Sequence, residues 1–472
     1  MMAKDDRFRI TFLGATRTVT GSMHRLDVRQ HGFLIDCGMF QGRRHESMHR
    51  NRNLPLKAVQ ADALLLTHAH IDHCGNIPTL VKRGFVGNVH CTSATADLCG
   101  AMLKDSARLQ LADARWLNEK YADDPNWEPI EPLYDEDDVK RAMERFIPHD
   151  YEEVFELSPV AHAHFIDAGH VLGSASAIID VKLNGHRRRV AFSGDIGRRN
   201  MPILRDPIPP QNPDYVVMET TYGNRMHAPS ELMQDQLYDV IKTALSRGGK
   251  IIIPSFALER TQEIVFALNQ LRKAKRLAAI PVYVDSPLAH NLTQVFRRHG
   301  ECFDSETIAF DDEHGDPFGF DMLTFVNSVD ESKQLNEKPG PMIIISASGM
   351  CEGGRIVHHL RNSIEDDKNT IVIVGYQAQH TLGRRIVERH PRVRIFGVDR
   401  DLFAQVRVLN AFSAHADRDE LLWWTDACGS QVRQHFLVHG DEDQSQAFQG
   451  HLEQRHKRAV VPRENEVIDL VY

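Results

Sequence analysis

Hydrophobic and polar positions divide this chain into two kinds of segment. Near the N-terminus, short apolar runs such as Phe8–Phe12 alternate with polar positions and end in glycine-containing turns, which predicts β-strands. From about residue 213, short β-branched runs such as Lys250–Ile253 and Thr370–Val374 are separated by stretches with helical spacing. Strands that alternate with helices predict a parallel sheet covered by helices.

Polar turns at the ends of three predicted strands carry histidine and aspartate. The first follows Leu64–Leu66 and reads His68-Ala-His70-Ile-Asp72-His73, with four ligand-type side chains within six positions. His170 and Asp195 each follow a later strand, in a turn that has glycine on both sides. Such a turn can bend sharply and direct its polar side chain into a cleft. Taken alone, His170 or Asp195 is equally well explained by a structural role, but both repeat the pattern of the first turn.

The spacing of the first turn suits two adjacent metal ions better than one. His68 and His70 can share a face at the end of the strand, whereas Asp72 and His73 lie in the following turn and point elsewhere. Imidazole and carboxylate ligands favour zinc, with iron and manganese as alternatives. The chain contains 26 histidines, so a chance polar turn is the alternative interpretation. Four ligands directly after an apolar strand make chance a poor explanation.

Length and composition limit the class of protein. A chain of 472 residues exceeds one ordinary core, so we expect two domains. The net charge of -9 argues against a generally basic nucleic-acid binder, although a local groove and metal ions can still bind phosphate. Without a signal-like or long apolar segment, neither secretion nor membrane insertion is expected. Seven cysteines without regular spacing predict free thiols in a reducing cytoplasm, with Cys37 and Cys74 as packing residues rather than ligands.

The predicted domains are not consecutive along the chain. Residues 1–212 are expected to form the first part of a core domain, residues 213–398 a second α/β domain, and residues 399–472 the rest of the core. The second domain is expected to be an insertion because ligand-like turns return after it. These turns are Ser413-Ala-His415 and Val438-His439-Gly440.

The order of these motifs resembles that of the metallo-β-lactamase fold and its β-CASP branch. The run from His68 to His73, followed by His170 and Asp195, is similar to the metal-binding motifs of the fold. The β-CASP branch has three further motifs, and similar ones stand here: Glu219-Thr-Thr-Tyr-Gly223, Ser413-Ala-His415 and Val438-His439-Gly440. The likeness is greatest to RNA-processing members, including bacterial and archaeal relatives of the pre-mRNA 3′-end cleavage nuclease. It implies an αββα sandwich with an inserted β-CASP α/β domain.

The same resemblance implies which side chains hold metal. Two zinc ions would each be held by three residues of their own and by one residue that they share. His68, His70 and His170 would hold one ion, and Asp72, His73 and His439 the other. Asp195 would bind both ions. Manganese or iron could replace zinc. A metal-bound hydroxide between the ions would be the nucleophile, because a coordinated water can ionise near neutral pH. Asp36 would support the ligands by orienting a histidine through its second ring nitrogen.

Glu219 and His415 would form the acid–base pair that delivers a proton to the departing 3′ oxygen. A carboxylate that holds an imidazole protonated suits this task, since histidine titrates near neutral pH. Without the resemblance, Glu219 would be interpreted as a surface carboxylate at a strand end. Together with Asp72 and Asp195, these two residues make up the set to which the resemblance assigns catalysis.

The inserted domain would form the other wall of a cleft over the metal ions. Arg260, Ser348, Gly349 and Arg355 follow strands or open helices, where backbone N–H groups and guanidinium can hold phosphate. For each arginine, a surface or interdomain salt bridge is an equally good interpretation. His380 stands where relatives often carry a small residue, and its role is open.

The resemblance therefore implies a two-zinc ribonuclease of RNA processing or decay that hydrolyses single-stranded RNA and, by analogy with the family, leaves a 5′-phosphate and a 3′-hydroxyl. His439 and Glu219 favour RNA, because DNA-directed family members usually carry an apolar residue and aspartate at these motifs. One alternative is a non-catalytic RNA-binding subunit. Another is a hydrolase of the same fold that acts on DNA, a thioester or a lactam. A homodimer is compatible with the sequence, which does not distinguish internal cleavage from cleavage at an end.

Overall fold

The apolar runs of the sequence form short strands whose side chains are mostly buried. The computed structural model describes residues 7–375, 377–378 and 380–471, so residues 1–6, Tyr376, Gln379 and Tyr472 of the predicted domain ranges lie outside it. The strands in this part of the chain are β1 (Phe8–Phe12), β2 (His24–Val28), β3 (His31–Ile35), β4 (Ala63–Leu65), β5 (Asn88–Thr92), β6 (Phe146–His149), β7 (Phe155–Ser158), β8 (Ala161–Asp167), β9 (Ala175–Leu183), β10 (His186–Phe192), β11 (Tyr215–Glu219), β12 (Ile251–Pro254), β13 (Val282–Val284), β14 (Leu323–Phe325), β15 (Ile343–Ser346), β16 (Thr370–Val374), β17 (Arg392–Ile395), β18 (Val398–Asp401), β19 (Gln405–Leu409), β20 (Gln434–Val438), β21 (Ala459–Val460) and β22 (Val467–Asp469).

Helices connect many of these strands, as the spacing of apolar residues predicts. They are α1 (Arg44–Arg52), α2 (Leu56–Val59), α3 (Ile71–Cys74), α4 (Ile77–Lys82), α5 (Ser93–Lys120), α6 (Glu136–Met143), α7 (Met233–Leu245), α8 (Arg260–Lys273), α9 (Pro287–Arg298), α10 (Ser305–His314), α11 (Val329–Glu337), α12 (Arg355–Ser363), α13 (Leu382–Val387), α14 (Arg418–Ala427) and α15 (Glu442–Gln454), with short 3₁₀ turns at Ser230–Leu232, Gly300–Cys302 and Asn410–Phe412. Among the described residues, no helix combines the length and the apolar character needed to cross a membrane.

The first compact unit contains the described residues up to Arg199, Asp206–Met226, and the described residues from His415 onward. It has two seven-stranded sheets, in the orders β22-β1-β2-β3-β4-β5-β6 and β21-β20-β11-β10-β9-β8-β7. Their inner faces share one apolar core, in which the Phe12 and Phe436 ring centroids lie 5.4 Å apart. Helices α14 and α15 cover the opposite face of the second sheet, and α5 contacts β5 and β6 of the first. This arrangement confirms the predicted αββα sandwich.

The second compact unit contains Asn200–Arg205 and the described residues of His227–Ala414. Its six-stranded sheet has the order β14-β13-β15-β12-β16-β19, and every neighbouring pair runs parallel. Apolar residues of α12 and α13 pack against this sheet in a second core. The parallel sheet predicted from alternating strands and helices is therefore confirmed. The hairpin β17–β18 stands apart as a two-stranded sheet.

The unit boundaries differ from the range 213–398 that the sequence pattern indicates. Strand β11 belongs to the first unit, where it pairs in parallel with β10 on one side and β20 on the other. Strand β19, beyond residue 398, pairs with β16 in the second unit. Buried parallel strands of both sheets have the same near-continuous apolar pattern, so the pattern identifies such strands but not their partners.

Candidate metal centre

Seven candidate ligands come from loops that follow strands of the two facing sheets. The turn after β4 carries His68 and His70 and continues into α3, which holds Asp72 and His73. The remaining candidates, His170, Asp195 and His439, follow β8, β10 and β20. At Gly194, where φ is 60°, an added Cβ would lie only 2.7 Å from Cβ of Thr67. Glycine thus allows the loop that carries Asp195 to approach the loop that carries His68.

A first group of ring nitrogens converges on one point. His70 Nδ1 lies 3.1 Å from His68 Nε2 and 3.4 Å from His170 Nε2. The Oδ2 atom of Asp195 lies 3.5 Å from His68 Nε2 and 3.6 Å from His170 Nε2. Tetrahedral zinc with Zn–N distances of about 2.05 Å places its ligand atoms about 3.3 Å apart. The spacing of these four side chains therefore fits a zinc-sized cation.

A second group lies beside the first and consists of Asp72, His73 and His439. The Nε2 atoms of His73 and His439 are 3.2 Å apart, and His439 Nε2 lies 3.5 Å from Asp72 Oδ2. Asp195 Oδ1 lies 3.3 Å from His73 Nε2 and 3.3 Å from His439 Nδ1. This buried oxygen accepts no hydrogen bond from the described residues. The two oxygens of Asp195 thus face one group each, as a bridging carboxylate requires.

Burial and charge favour the ligand forms of several of these residues. Burial lowers the pKa of His68 well below its usual range, and the charge of the neighbouring His73 lowers it further. Burial raises the pKa of Asp195, but the charges of His439, His73 and His68 outweigh it and lower that pKa well below its usual range. For His73, burial lowers the pKa, while Asp195 and Asp36 together raise it well above its usual range. Asp195, whose Oδ1 faces His73 Nε2, can hold a metal cation in place of that proton, because both interactions are attractions to positive charge.

Asp36 lies behind the second group. Its Oδ2 atom is 2.7 Å from His73 Nδ1, and it also accepts hydrogen bonds from Thr67 Oγ1 at 3.0 Å and Ser22 Oγ at 3.3 Å. Its Oδ1 atom accepts the backbone N–H of Thr67 at 2.8 Å. An acceptor at Nδ1 keeps the proton on that nitrogen and leaves Nε2 of His73 free to act as a ligand.

Two threonines that the sequence pattern did not single out complete this support. Thr67 donates to Asp36, as described, and directly precedes His68. Thr221 Oγ1 donates to the carbonyl of His439 at 3.0 Å, and His439 N–H donates to Ala15 O at 2.7 Å. These bonds hold His439 in the left-handed region, at φ 45°, where residues with a side chain are uncommon. The only sequence signals were that Thr67 directly precedes His68 and that Thr221 lies within the motif Glu219–Gly223.

Glu219 and His415 form a pair at the edge of the first ligand group. Glu219 is buried, and its Oε1 atom lies 3.2 Å from His415 Nδ1. The backbone N–H groups of Ile196 and Thr221 donate to the two Glu219 oxygens at 2.6 and 3.2 Å. His415 is partly exposed, and its Nδ1 lies 3.9 Å from Asp195 Oδ2. Burial lowers the pKa of His415, but the charge and hydrogen bond of Glu219, with the charges of Asp195 and Asp72, raise it to about 9.

The two cysteines nearest the ligands take no part in either group. Cys37 and Cys74 are buried free thiols, and the ligand groups found among the described residues contain neither. Burial, together with the charge of Asp36 and the neighbouring Cys74, raises the pKa of Cys37 well above its usual range. A neutral, buried thiol is a packing residue rather than a metal ligand.

The residues predicted to contact phosphate lie in the second compact unit, where each has partners of its own. Arg355 donates to Asp285 at 2.6 Å and to the carbonyls of Val326 and Asn327. Arg260 forms an ion pair with Glu263 within α8. Both arginines thus form salt bridges within their own unit, rather than the interdomain bridges weighed from the sequence.

The other residues singled out in this unit lie in loops. Ser348 Oγ donates to Gly353 O at 3.3 Å, and the Gly349 carbonyl accepts from Gln377 Nε2 at 3.0 Å. His380 is exposed and has φ 71°.

Comparison with known proteins places these features in a family. Residues 25–221 match the Metallo-beta-lactamase superfamily, residues 261–386 the Beta-Casp domain, and residues 401–462 the Zn-dependent metallo-hydrolase RNA specificity domain. The chain is 39% identical to Ribonuclease TTHA0252 of Thermus thermophilus over 92% of this chain and 94% of that protein. It is 31% identical to Transcription termination factor FttA of Methanosarcina mazei, over 93% of this chain and 68% of that protein.

The likeness extends to a further relative and to a solved structure. An RNase J-like protein of Methanocaldococcus jannaschii is 28% identical over 93% of this chain and 94% of its own length. The crystal structure of a protein of unknown function from Enterococcus faecalis V583 matches with a TM-score of 0.55 and 11% identity, over 98% of this chain and 100% of that chain. At that identity, the solved structure supports the fold alone.

Proposed function

Since this chain belongs to the β-CASP family of metallo-β-lactamase-fold, metal-dependent RNA nucleases, we propose that it hydrolyses phosphodiester bonds of single-stranded RNA with two bound zinc ions. The observation that carries the proposal is the placement of Asp195. The Oδ2 atom of Asp195 faces the first ligand group and the Oδ1 atom faces the second. His415 Nδ1, which also contacts Glu219, lies 3.9 Å from Asp195 Oδ2. An acid–base pair next to a paired cation site is what in-line displacement at phosphorus requires.

Seven side chains would hold the two ions: His68, His70 and His170 for one, Asp72, His73 and His439 for the other, and Asp195 for both. Bound zinc would supply Lewis acidity toward the phosphate and would lower the pKa of a coordinated water. Asp36 would keep His73 in the tautomer that presents Nε2, because its carboxylate accepts a hydrogen bond from Nδ1. Manganese or iron would fit the same nitrogen and oxygen donors.

Glu219 and His415 would handle the proton of the departing 3′ oxygen. The carboxylate of Glu219 holds the imidazole through Nδ1, so the opposite nitrogen, Nε2, is the atom that would donate. The two backbone N–H groups that donate to Glu219 keep its carboxylate oriented toward His415. The products would be a 5′-phosphate and a 3′-hydroxyl. An intact ligand set and this pair argue against a non-catalytic RNA-binding subunit.

The preference for RNA is supported by residue types and by the relatives. His439 supplies an imidazole where DNA-directed family members usually carry an apolar residue, and Glu219 stands where they carry aspartate. Residues 401–462 match a domain described by its RNA specificity, and a relative at 39% identity is named a ribonuclease. In the second compact unit, Gly349 would offer its backbone N–H to phosphate, and Ser348 would contact phosphate only through its hydroxyl, because its backbone N–H donates to Gly353 O at 3.2 Å. Arg260 and Arg355 form ion pairs with Glu263 and Asp285, so they would contact phosphate only through guanidinium N–H groups that these ion pairs do not use.

We also propose a cytoplasmic location and a homodimeric state. All seven cysteines are free and buried, which suits a reducing compartment. Sedimentation of the purified protein at two concentrations would measure the oligomeric state directly.

The test compares three substrates in one assay. Zinc-loaded protein is incubated with end-labelled single-stranded RNA, single-stranded DNA of the same sequence, and a chromogenic lactam, each below saturation. We expect RNA to be cleaved fastest, the lactam to remain intact, and Glu219→Gln to abolish RNA cleavage while zinc content stays at two per chain. Equal cleavage of RNA and DNA would refute the RNA preference, and lactam hydrolysis would refute the nuclease assignment. Labels at both ends also separate internal cleavage from cleavage at an end.

A further inference from the structure

The second compact unit contains a pocket of about 940 Å³ that none of the residues of the metal centre lines. Its walls are α11, helix α12 with the loop before it, the first residue of α13, and the end of strand β17. The hairpin β17–β18 places Phe396 at the rim, in the turn between the two strands. The pocket is therefore built from four separate chain segments, and its shape depends on the fold of this unit.

Positive charge predominates among the side chains that line the pocket. The lining includes Lys333, Arg355, Arg361 and Arg394 but only two carboxylates, Glu337 and Glu352. One of these carboxylates, that of Glu352, is already engaged by the backbone N–H of Leu382. Arg355 and Lys333 are paired with Asp285 and Asp330, so Arg361 and Arg394 are the cations of the lining that can attract an anionic ligand.

Two of the exposed arginines are free to meet such a ligand. Arg361 forms no ion pair within the described part of the chain, and it projects from α12 into the pocket lining. Arg394 donates its Nε–H to the carbonyl of Gly397 at 3.1 Å, a bond that leaves the other guanidinium donors available. Guanidinium groups with open donors are the preferred partners of phosphate oxygens.

A buried network fixes the wall between these cations. Asp285 is fully buried and accepts hydrogen bonds from Arg355 Nη1 and His359 Nε2, both at 2.6 Å, and from the hydroxyl of Ser332. His359 Nδ1 lies 2.9 Å from Oδ1 of Asn336. Burial raises the pKa of Asp285, but the hydrogen bonds from His359, Ser332 and Arg355 outweigh it and lower that pKa. The ionised carboxylate thus holds α11 and α12 together and keeps Arg355 in place at the pocket.

An exposed aromatic surface lies beside the cations. Phe396 is 54% exposed, and its ring centroid lies 4.7 Å from that of His358. Burial, the charge of Arg361 and the neighbouring His359 lower the pKa of His358, so its ring is neutral near pH 7. An exposed apolar ring is costly to leave in water, and an aromatic pair next to arginines is the arrangement on which nucleobases stack.

We propose that this pocket binds a nucleotide, with its base stacked on Phe396 and bordered by His358, whose ring is inclined to that of Phe396 by 42°, and with its phosphate held by Arg361 and Arg394. The inference goes beyond the proposed function, because it assigns a second nucleotide site outside the metal centre. An RNA strand and a free nucleotide present the same chemistry of base and phosphate. A strand bound here would add to the affinity that the metal centre provides by itself.

The test measures binding of the full chain to three probes. Fluorescence anisotropy follows a labelled single-stranded 12-mer RNA with phosphorothioate linkages, and calorimetry follows adenosine monophosphate and inorganic phosphate. Phe396→Ala should weaken 12-mer binding by roughly 5- to 100-fold, the usual range for one stacked base, and Phe396→Trp should restore it. Arg361→Gln should weaken binding and reduce the slope of log K against log salt by about 0.7, as one lost phosphate contact does.

A matched control is Arg407→Gln, which removes the same charge from an exposed position of β19 that does not line the pocket. It should leave both affinity and salt slope unchanged. Hydrolysis of bis(p-nitrophenyl) phosphate should be unchanged in all these variants, since this small probe reports the metal centre alone. A failure of RNA cleavage would therefore count against the proposed function and leave the pocket result intact.

Each binding outcome decides between sources or refutes the proposal. If Phe396→Ala and Arg361→Gln weaken binding of the 12-mer more than binding of adenosine monophosphate, the occupant is a strand; if they weaken binding of adenosine monophosphate as much or more, it is a free nucleotide. If Phe396→Ala and Arg361→Gln both bind the 12-mer and adenosine monophosphate as the wild type does, the proposal is wrong. Variant-sensitive binding of inorganic phosphate without any effect of Phe396→Ala would refute the stacked base.

Discussion

Replacing Asp36 with asparagine should weaken the second metal ion without removing any ligand. Asparagine can keep its carbonyl on the backbone N–H of Thr67, which now bonds Oδ1 at 2.8 Å. Its amide nitrogen then takes the place of Oδ2 and faces His73 Nδ1 at 2.7 Å. Because both groups would donate, His73 must accept at Nδ1 and carry its proton on Nε2. That proton points at Asp195 and His439, where a cation would otherwise sit.

The size of the effect follows from the role of Asp36. Changing a residue that orients a metal ligand usually costs 10- to 100-fold in metal affinity, or about 1.4–2.7 kcal/mol. With one amide N–H donated to His73, the second can be accepted by Thr67 Oγ1 at 3.0 Å, whereas the bond of Ser22 Oγ at 3.3 Å is lost because an amide has only two hydrogens. The expected loss of metal affinity therefore comes from the changed tautomer of His73. The first ion should be held almost as tightly as in the wild type.

Two measurements check this prediction. Competition with a chromophoric chelator resolves the affinities of the two zinc ions, and long-range ¹H–¹⁵N spectra report which ring nitrogen of His73 carries the proton. The control is Ser22→Ala, which removes a donor from the same carboxylate oxygen but leaves the carboxylate and its bond to His73 intact. The reasoning is refuted if Asp36→Asn binds both ions as the wild type does, or if His73 stays protonated on Nδ1.

Three further predictions concern the same unit. Asp195→Ala should lower the affinity for both ions, which elemental analysis after dialysis would detect; retention of two ions per chain would contradict a bridging role. Glu219→Gln and His415→Ala should keep both ions and RNA affinity but lose roughly 10²–10⁴-fold in turnover, measured with end-labelled RNA; if His415→Ala loses an ion, His415 is a ligand instead. Burial lowers the pKa of His435 to about 4, so unfolding takes up a proton below the ordinary pKa of about 6.5. The contribution of His435 to the free energy of unfolding is therefore fully present above pH 6.5 and is smaller by about 2 kcal/mol at pH 5. Urea unfolding of the metal-free protein at several pH values should show a smaller loss of stability toward pH 5 in His435→Gln than in the wild type.

The sequence by itself determined the features that depend on local spacing. The turn His68-Ala-His70-Ile-Asp72-His73 follows β4 directly, and its residues divide between two ligand groups as their spacing indicates. Apolar periodicity likewise identified the strands and helices of both units. These features could be predicted because neighbours along the chain are neighbours in space, whatever the rest of the fold does.

Only the tertiary structure decided which distant segments meet. His73 and His439 are 366 positions apart, and Glu219 and His415 are 196 apart, yet each pair is joined at about 3.2 Å. Their order in the chain resembles the motifs of a family, but no periodicity in the chain brings them together. Strand β11 was misplaced for the same reason, since its apolar pattern is satisfied equally by either sheet. The charge balance around Arg355 also depends on the burial of Asp285, 70 positions earlier, because partners and burial are properties of the folded surface.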